Sequence, residues 1–257
     1  MAKLNSAVEF TGRIQNLTYY KRQGSDKIIV RHNAGVSKEK IKKDKAFAGT
    51  RKTNNEFKAL NLVSRSIYTG LANLHPVMDH NVYNQILSRS RAIQKLDLRD
   101  IGKRGILLSQ HGYLYEQLQL NKKFSLESIL PVNLNYQIDP QNRSARISIP
   151  SLIPGVQFIN RPNLPFFRIL AVLQSVADVN WIRERYEPHS NFIIRDLAYS
   201  DWQQSHQVFP GCQLNMELSD KSEKDTLLLS LGIVFGKEPG TEVKYLGAGK
   251  ILALAMP

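Results

Sequence analysis

The sequence has one cysteine and no long apolar run, and each absence removes a class of protein. Cys212 is the only thiol among 257 residues, so one chain cannot form an internal disulfide or a metal site of several thiolates. No stretch approaches the roughly 18 apolar residues of a membrane-spanning helix. Residues 1–10 lack the basic start and apolar core of a signal peptide. We therefore expect a cytoplasmic protein, with the final location of any assembly left open.

Catalytic and metal-binding signatures are also missing. His75 and His80 are five residues apart with Pro76 between them, which does not give the i, i+4 geometry of a helical metal pair. Cys212 could be paired with His206 or His189 as thiol and base, but no residue that would orient the base is evident. We expect an ordinary structural cysteine and no bound metal.

Two further motifs have simple structural interpretations. Gly247-Ala248-Gly249-Lys250 departs from a phosphate-binding loop, because Lys244 and Ile251 stand where that loop needs glycine and a hydroxyl residue. We interpret it as a bulged or closely packed strand. Glu184 and Glu187 are interpreted as solvated acids. Together these observations favour a non-enzymatic protein without a cofactor, with a hydrolase or thiol enzyme as the third hypothesis.

Positive charge is concentrated towards the N terminus. The formal net charge is +13; residues 1–105 contain 21 basic and 8 acidic residues, whereas residues 106–257 contain 14 of each. Such a segment suits an anionic partner such as nucleic acid or a membrane surface, and a solvated face has the same composition. We predict a basic hairpin-and-helix region over 1–105 and a second domain over 106–257.

The N-terminal region begins with a predicted β-hairpin. Residues 13–21 and 27–32 are β-prone and flank the loop Gln23-Gly24-Ser25-Asp26. Alternation would place Ile14, Thr18 and Tyr20 on one face and Leu17 and Tyr19 on the other. Because a two-stranded hairpin is marginally stable in water, we expect the second domain, a strand of nucleic acid or another subunit to cover it.

Three helices are predicted to follow the hairpin. Ser37 can cap a lysine-rich helix over 38–47, and Thr50 can cap a longer one. The stripe Phe57, Leu60, Ser64, Ile67 and Leu71 has helical spacing. A third helix is predicted over 77–96, with Pro76 near its first turn and Val82, Ile86 and Ile93 facing inward. Residues 98–105 are predicted to be a connector.

From residue 106 onwards the pattern is that of strands. Residues 105–109 and 113–120 predict a second hairpin around Gln110-His111-Gly112, and 132–138 and 145–149 flank the turn-forming run 139–143. The apolar run 166–179 predicts a strand buried on both faces, with a short helix as the alternative, and 180–211 is interpreted as an ordered insertion. With 214–218, 226–235 and 243–255, this gives about eight strands, which predicts an α+β chain ending in an antiparallel, jelly-roll-like β-sandwich.

Self-association is the function that accounts for most of these features. A marginal hairpin ahead of a self-sufficient β domain resembles an arm whose open edge a neighbouring chain completes. We therefore expect a structural subunit that forms a filament, tube or shell with copies of itself. The predicted self-association residues are Ile14, Leu17, Tyr19, Tyr20, Ile28 and Val30.

Nucleic-acid binding is the alternative. Aromatic residues beside cations provide stacking faces next to phosphate contacts, and a lysine cluster can hold a backbone without reading its sequence. No standard recognition motif is present, so any binding of DNA or RNA would be sequence-independent. The predicted contacts are Lys21, Arg22, Lys27, Arg31, Lys38, Lys40, Lys42, Lys43 and Lys45.

Several stretches resemble a group of uncharacterised proteins of Bacteroidetes-type bacteria. They are GRIQNLTYY (residues 12–20), residues 50–57, LNKK (residues 120–123) and IPSLIPG (residues 149–155). The resemblance extends over most of the chain. It implies a bacterial origin and an architecture that recurs in that group, and it implies no activity.

Overall fold

A computed structural model describes residues 2–4, 10–22, 25–32, 35–188, 194–219 and 224–256 of the chain. The chain divides into two compact units, Met1–Arg51 and Lys52–Pro257. The boundary predicted near residue 105 lies inside the second unit. In the part of the chain that the structure describes, no helix is both long enough and apolar enough to cross a membrane.

The first unit contains an antiparallel sheet in the order β1-β4-β3-β2. The predicted hairpin is present as β3 and β4, but the single strand predicted over 13–21 is wrong, because the chain reverses at Gln15 and Asn16. Gln15 has φ 49°, the left-handed conformation that a two-residue hairpin turn needs. Gln23 and Gly24 of the predicted loop lie outside the described residues. The strands are β1 Ala2–Leu4, β2 Gly12–Ile14, β3 Leu17–Lys21 and β4 Ile28–His32.

The lysine-rich helix is shorter than predicted. Ser37 caps α1 (Lys38–Lys43) as predicted, since its side chain accepts a hydrogen bond from the Lys40 amide at 3.2 Å. Asp44 has an extended backbone that ends α1, and its carboxylate accepts from the Ala46 amide at 2.9 Å to begin a 3₁₀ turn, Lys45–Phe47. The predicted helix over 38–47 is therefore interrupted at Asp44.

The long helix α2 spans Ala48–Gly70. It begins directly after the 3₁₀ turn, so Thr50 already lies within the helix and the prediction that it is the cap is wrong. Four members of the predicted stripe, Leu60, Ser64, Ile67 and Leu71, are buried. Phe57 is 44% exposed, so its predicted place on the buried face is also wrong.

Helix α3 spans Val82–Leu96 and buries Val82, Ile86 and Ile93 as predicted. It starts later than predicted because Ala72–Val77, which includes Pro76, forms a separate 3₁₀ helix. Met78 then has an extended backbone that ends this turn.

The centre of the second unit is an antiparallel sheet in the order β10-β7-β13-β14, with β11 also paired to β7. The predicted strand over 166–179 is confirmed as far as Val176, and all eleven residues of β13 are buried. Strand β14 starts five residues later than predicted. The strands are β7 Phe166–Val176, β10 Arg195–Tyr199, β11 Gln203–Gln204, β13 Thr226–Gly236 and β14 Ala248–Ala255.

A second sheet has the order β12-β6-β5 and comprises β5 (Asn135–Asp139), β6 (Ser144–Ile149) and β12 (Cys212–Glu217). The turn predicted at 139–143 joins β5 to β6, and the Asp139 carboxylate accepts from the amides of Gln141 and Asn142 at 3.0 Å. The predicted insertion contains a further hairpin of β8 (Val179–Ile182) and β9 (Arg185–Pro188).

The central sheet separates two apolar cores. Phe167, Ile169 and Leu173 of β7 pack in one core with Ile147 and Leu214 of the second sheet. On the opposite face, Leu170, Val172 and Val176 pack in a second core with α2 and α3. The second unit therefore stacks helices, central sheet and second sheet in three layers.

The α+β class is confirmed, whereas a jelly-roll sandwich is not, because the sheets are separate and open. The hairpin predicted over 105–120 is wrong: that stretch forms α4 (Leu108–His111) and a 3₁₀ turn, Gly112–Tyr115. Asp178 stabilises the start of α4 by accepting hydrogen bonds from the Ser109 amide at 3.0 Å and from the Ser109 hydroxyl at 2.5 Å. A last short helix, α5, spans Leu126–Ile129.

The connector over 98–105 has no helix or strand, as predicted, and is bound to α2 by a buried carboxylate. Glu56 is 6% exposed and receives two hydrogen bonds of 2.7 Å from Arg104 and one of 2.9 Å from the Gly102 amide. The hydrogen bond from Arg104 lowers the pKa of Glu56 below its ordinary value. The ionised carboxylate is therefore part of the folded state.

We predict that Glu56→Gln lowers the free energy of unfolding by about 2 kcal/mol, the worth of hydrogen bonds to a charged group. This corresponds to a midpoint roughly 5 °C lower for a chain of this size. Because folding lowers the pKa of Glu56, its contribution is complete at neutral pH and is lost as the pH falls below about 4.

Thermal unfolding of both proteins between pH 7 and pH 3 checks this. The exposed Glu238→Gln is the matched control and should leave the midpoint unchanged. A difference between wild type and Glu56→Gln that stays constant down to pH 3 would contradict the role given to the charge.

Candidate functional site: the two faces of the N-terminal sheet

The register of the N-terminal sheet places most of the predicted self-association residues on one face. Directly opposed residues of antiparallel strands point to the same side, and alternate residues along a strand share that side. The pairs are Ile14 with Leu17, Tyr19 with Val30, and Lys21 with Ile28. We call Ile14, Leu17, Tyr19, Ile28 and Val30 the apolar face.

The turn at Gln15 and Asn16 is what brings Ile14 to this face. In one continuous strand Ile14 would alternate onto the side of Thr18 and Tyr20, as predicted from the sequence. The reversal instead pairs Ile14 directly with Leu17, so that prediction is wrong. Tyr20, the sixth predicted contact, lies on the opposite face.

The apolar face is unevenly covered. Ile28 is 4% exposed, and Leu17, Tyr19 and Val30 are half-buried. Ile14 remains 53% exposed. Phe10 packs against Tyr19 with ring centroids 4.5 Å apart, which extends the apolar surface beyond the strands.

The opposite face carries cations beside an aromatic ring. Arg13, Thr18 and Arg31 form one row across three strands, and Tyr20 lies opposite Ile29 in the next row. Both arginines are exposed, whereas Thr18, Tyr20 and Ile29 are half-buried. We call these five residues the basic face.

The other predicted nucleic-acid contacts are dispersed over the first unit. Lys21 lies at the end of the apolar face, and Arg22 and Lys27 are exposed in the connection between β3 and β4. The lysines of α1 and the following 3₁₀ turn are all exposed. They are Lys38, Lys40, Lys42, Lys43 and Lys45.

Arg51 has a structural role in this basic segment. One guanidinium nitrogen donates to the carbonyl oxygens of Ile41 at 2.8 Å and Asp44 at 2.7 Å. These contacts satisfy carbonyl groups at the C-terminal end of α1, which has no continuing helix to do so. Arg51 therefore stabilises the segment that presents the lysines.

The residues considered for metal binding do not form a metal site. His75 Nε2 lies 3.3 Å from the Tyr68 carbonyl and its ring is 4.7 Å from that of Tyr68, while His80 contacts Asn81. Among the residues that the structure describes, no three His, Cys, Asp or Glu side chains are grouped to hold a metal ion.

The structure also describes two of the residues considered for thiol catalysis, Cys212 and His206. Burial raises the pKa of the Cys212 thiol, which disfavours the nucleophilic thiolate. His206 is exposed, and His189 lies outside the described residues. Of the two acids interpreted as solvated, Glu184 is exposed and Glu187 forms an ion pair with Arg185.

The Gly247–Lys250 motif lies at the start of β14, with Gly247 directly before the strand, and it is closely packed as interpreted. A Cβ on Gly249 would lie 2.9 Å from Val77 Cγ2, and one on Gly247 would lie 2.2 Å from the Ile233 carbonyl oxygen. Lys250 forms an ion pair with Glu127. The glycines therefore allow close backbone packing, as expected for residues that tolerate no side chain.

Phe10, beside the apolar face, was not among the predicted contacts, and neither were Arg13, Thr18 and Ile29 of the basic face. Arg13 could be placed beside Arg31 only once the turn at Gln15 was known. The signal for that turn is weak, because Gln15 stands where glycine, asparagine or aspartate is usual.

Comparison with models of protein families, with curated proteins and with solved structures finds no match to this chain.

We predict that Arg51→Met loosens α1. Loss of the two carbonyl contacts should cost roughly 1 kcal/mol and raise the exchange rates of the Ile41 and Asp44 amides about fivefold. Hydrogen exchange followed residue by residue checks this. Arg22→Met is the matched control, and equal exchange in both variants would contradict the capping role.

Proposed function

We propose that the protein is a non-enzymatic structural subunit that self-associates through the apolar face of its N-terminal sheet into a filament, tube or shell. The observation that carries the proposal is the gathering of five apolar side chains on one face, with Ile14 53% exposed at its margin. Burying such a surface against a second copy would remove apolar area from water, the main driving force of association.

The strand order supports the same proposal. Within the described residues, β1 and β2 are the edges of the sheet and each is three residues long. Edge strands present unpaired backbone groups that a strand of another chain can complete. Contact through the apolar face and pairing through an edge strand would give each subunit two separate interfaces, and subunits that use two interfaces can build extended assemblies rather than closed dimers.

We predict that Ile14→Asp weakens self-association tenfold or more, because a carboxylate would have to be buried without a partner. The measurements are sedimentation velocity over a range of protein concentrations and negative-stain electron microscopy of nuclease-treated protein. Val36→Asp, at another exposed apolar residue of the same unit (47% exposed), is the matched control.

Regular assemblies of wild type and of Val36→Asp, together with monomers of Ile14→Asp, are the expected result. A wild-type chain that stays monomeric at every concentration would refute the proposal. Assembly that is the same in both variants would also refute the assignment to this face.

Sequence-independent binding of DNA or RNA is the second candidate, and the basic face favours it. Arg13 and Arg31 lie on β2 and β4, the two strands that flank β3, so their Cα atoms are about 10 Å apart. Tyr20 lies in the neighbouring row, so cations and an aromatic ring share a surface, as in single-strand binding sites. Because the two faces are opposite sides of one sheet, this function and self-association can coexist.

We predict that Arg13→Ala/Arg31→Ala weakens binding to an oligothymidine strand and makes it less dependent on salt. The slope meant is that of the logarithm of the binding constant against the logarithm of the salt concentration. Losing two phosphate contacts should reduce the size of this slope by about 1.4. Fluorescence anisotropy from 50 to 300 mM salt gives the slope. Lys122→Ala/Lys123→Ala removes the same charge from the second unit as a control, and an unchanged slope in the arginine variant would eliminate the basic face as the contact surface.

A further inference from the structure

A groove of about 760 Å³ lies within the second unit between α2 and the β8–β9 hairpin. Its α2 wall includes Asn55, Lys58, Leu62 and Arg65, whose spacing of three, four and three residues is that of one helix face. Lys58 and Arg65 are exposed, and Leu62 is 42% exposed between them. This wall therefore presents an apolar side chain flanked by two cations.

The opposite wall carries two aromatic rings. Trp181 and Tyr186 are cross-strand partners, with ring centroids 4.9 Å apart at an interplanar angle of 71°. In such an edge-to-face pair the partner covers at most one of the ring faces. The hairpin turn between them uses Arg183 and Glu184 with φ 46° and 64°, the geometry of a tight two-residue turn that holds the strands in register.

The charges of the groove favour an anion. Lys58 and Arg65 have no acidic neighbour among the α2 residues that line the groove. On the hairpin wall, Arg185 is paired with Glu187, and Glu184 supplies one acid. The positive charge is therefore concentrated on the α2 wall, facing the aromatic wall.

Tyr186 also carries a buried polar group. Its hydroxyl has no hydrogen-bond partner among the described residues. Burial raises the pKa of Tyr186 to about 12, so the phenol stays neutral at physiological pH. The Tyr186 side chain consequently adds no negative charge to the groove.

We propose that this groove binds a nucleoside phosphate, either free or as one unit of a single strand, by stacking the base on Trp181 and holding phosphate with Lys58 and Arg65. A base has the flat aromatic surface that a tryptophan stacks on. The two cations are about 10 Å apart along the helix, so their long side chains can converge on one phosphate group or contact two. Asn55 provides an amide of the kind that pairs with base edges.

The size of the groove agrees with this ligand. Its volume lies within the range of roughly 300–1,000 Å³ that is usual for small-molecule sites. Because all of these residues belong to the second unit, the inference does not depend on self-association or on the basic face of the first unit.

The fluorescence of Trp181 provides the test. The chain has two tryptophans, Trp181 and Trp202, so Trp202→Phe leaves Trp181 as the single reporter. This variant is titrated with ATP and, separately, with a short oligothymidine strand. Stacking of a base on Trp181 should quench the fluorescence with a saturable dependence on ligand concentration. The variant Trp181→Phe, whose only tryptophan is Trp202, should show no quenching.

Lys58→Ala and Arg65→Ala, each in the Trp202→Phe background, test the phosphate contacts. Both residues are exposed, so these variants are expected to fold normally, and each should weaken binding about five- to tenfold. Lys95→Ala removes an exposed cation of the same unit outside the groove and is the matched control. Far-ultraviolet circular dichroism confirms folding of every variant.

Quenching by ATP would support a site for free nucleotides, and quenching by the oligonucleotide alone would support a site for a strand. Absence of quenching by both ligands would overturn the proposal. Equal affinities of the Lys58, Arg65 and Lys95 variants would overturn it as well, because the anion would then be held elsewhere. Loss of assembly in Ile14→Asp with quenching retained would show that the groove and the apolar face act separately.

Discussion

The pairing of β7 with β13 is the constraint on which the second unit depends. The two strands are in antiparallel register over eleven residue pairs, from Thr226 with Val176 to Gly236 with Phe166. Side chains from both faces of this pair enter apolar cores, one shared with the second sheet and one with α2 and α3. Because both faces of this pair are almost entirely buried, the strands need apolar residues at most positions, and neighbouring elements must supply complementary surfaces.

The same constraint makes the few polar groups on these strands informative. Gln174 of β7 faces the helices and donates to the Ile67 carbonyl at 3.4 Å. Ser175 points the other way and bonds Asp225 at 3.0 Å. Buried polar side chains are costly unless they are paired, so these residues specify which helix turn and which loop lie against the sheet. Apolar packing supplies the stability of this layer, and the polar contacts of Gln174 and Ser175 select its arrangement.

Local patterns predicted the parts of the fold that local chemistry determines. Strands β7 and β13 follow from continuous apolar runs, α3 from helical spacing of Val82, Ile86 and Ile93, and the turn at Asp139 from its proline and side-chain acceptors. Prediction failed where a distant contact decides: Ser109 lies in a helix because Asp178, 69 residues away, accepts its hydrogen bonds. The groove could not be predicted for the same reason, since no local pattern brings Lys58 near Trp181. All five residues of the apolar face were among the predicted contacts, but Ile14 was assigned to the wrong side of the sheet, because the turn at Gln15 carries an unusual residue.

That turn between Ile14 and Leu17 also constrains how the gene can vary. Its two residues, Gln15 and Asn16, make Ile14 and Leu17 direct partners, and side chains along a strand alternate with a period of two. Inserting or deleting one codon there would exchange the sides of β2, moving Ile14 among the arginines and Arg13 among the apolar residues. Substitutions that tolerate the left-handed backbone at position 15 would leave the arrangement intact. Related sequences should therefore vary in the identity of these two residues and keep their number.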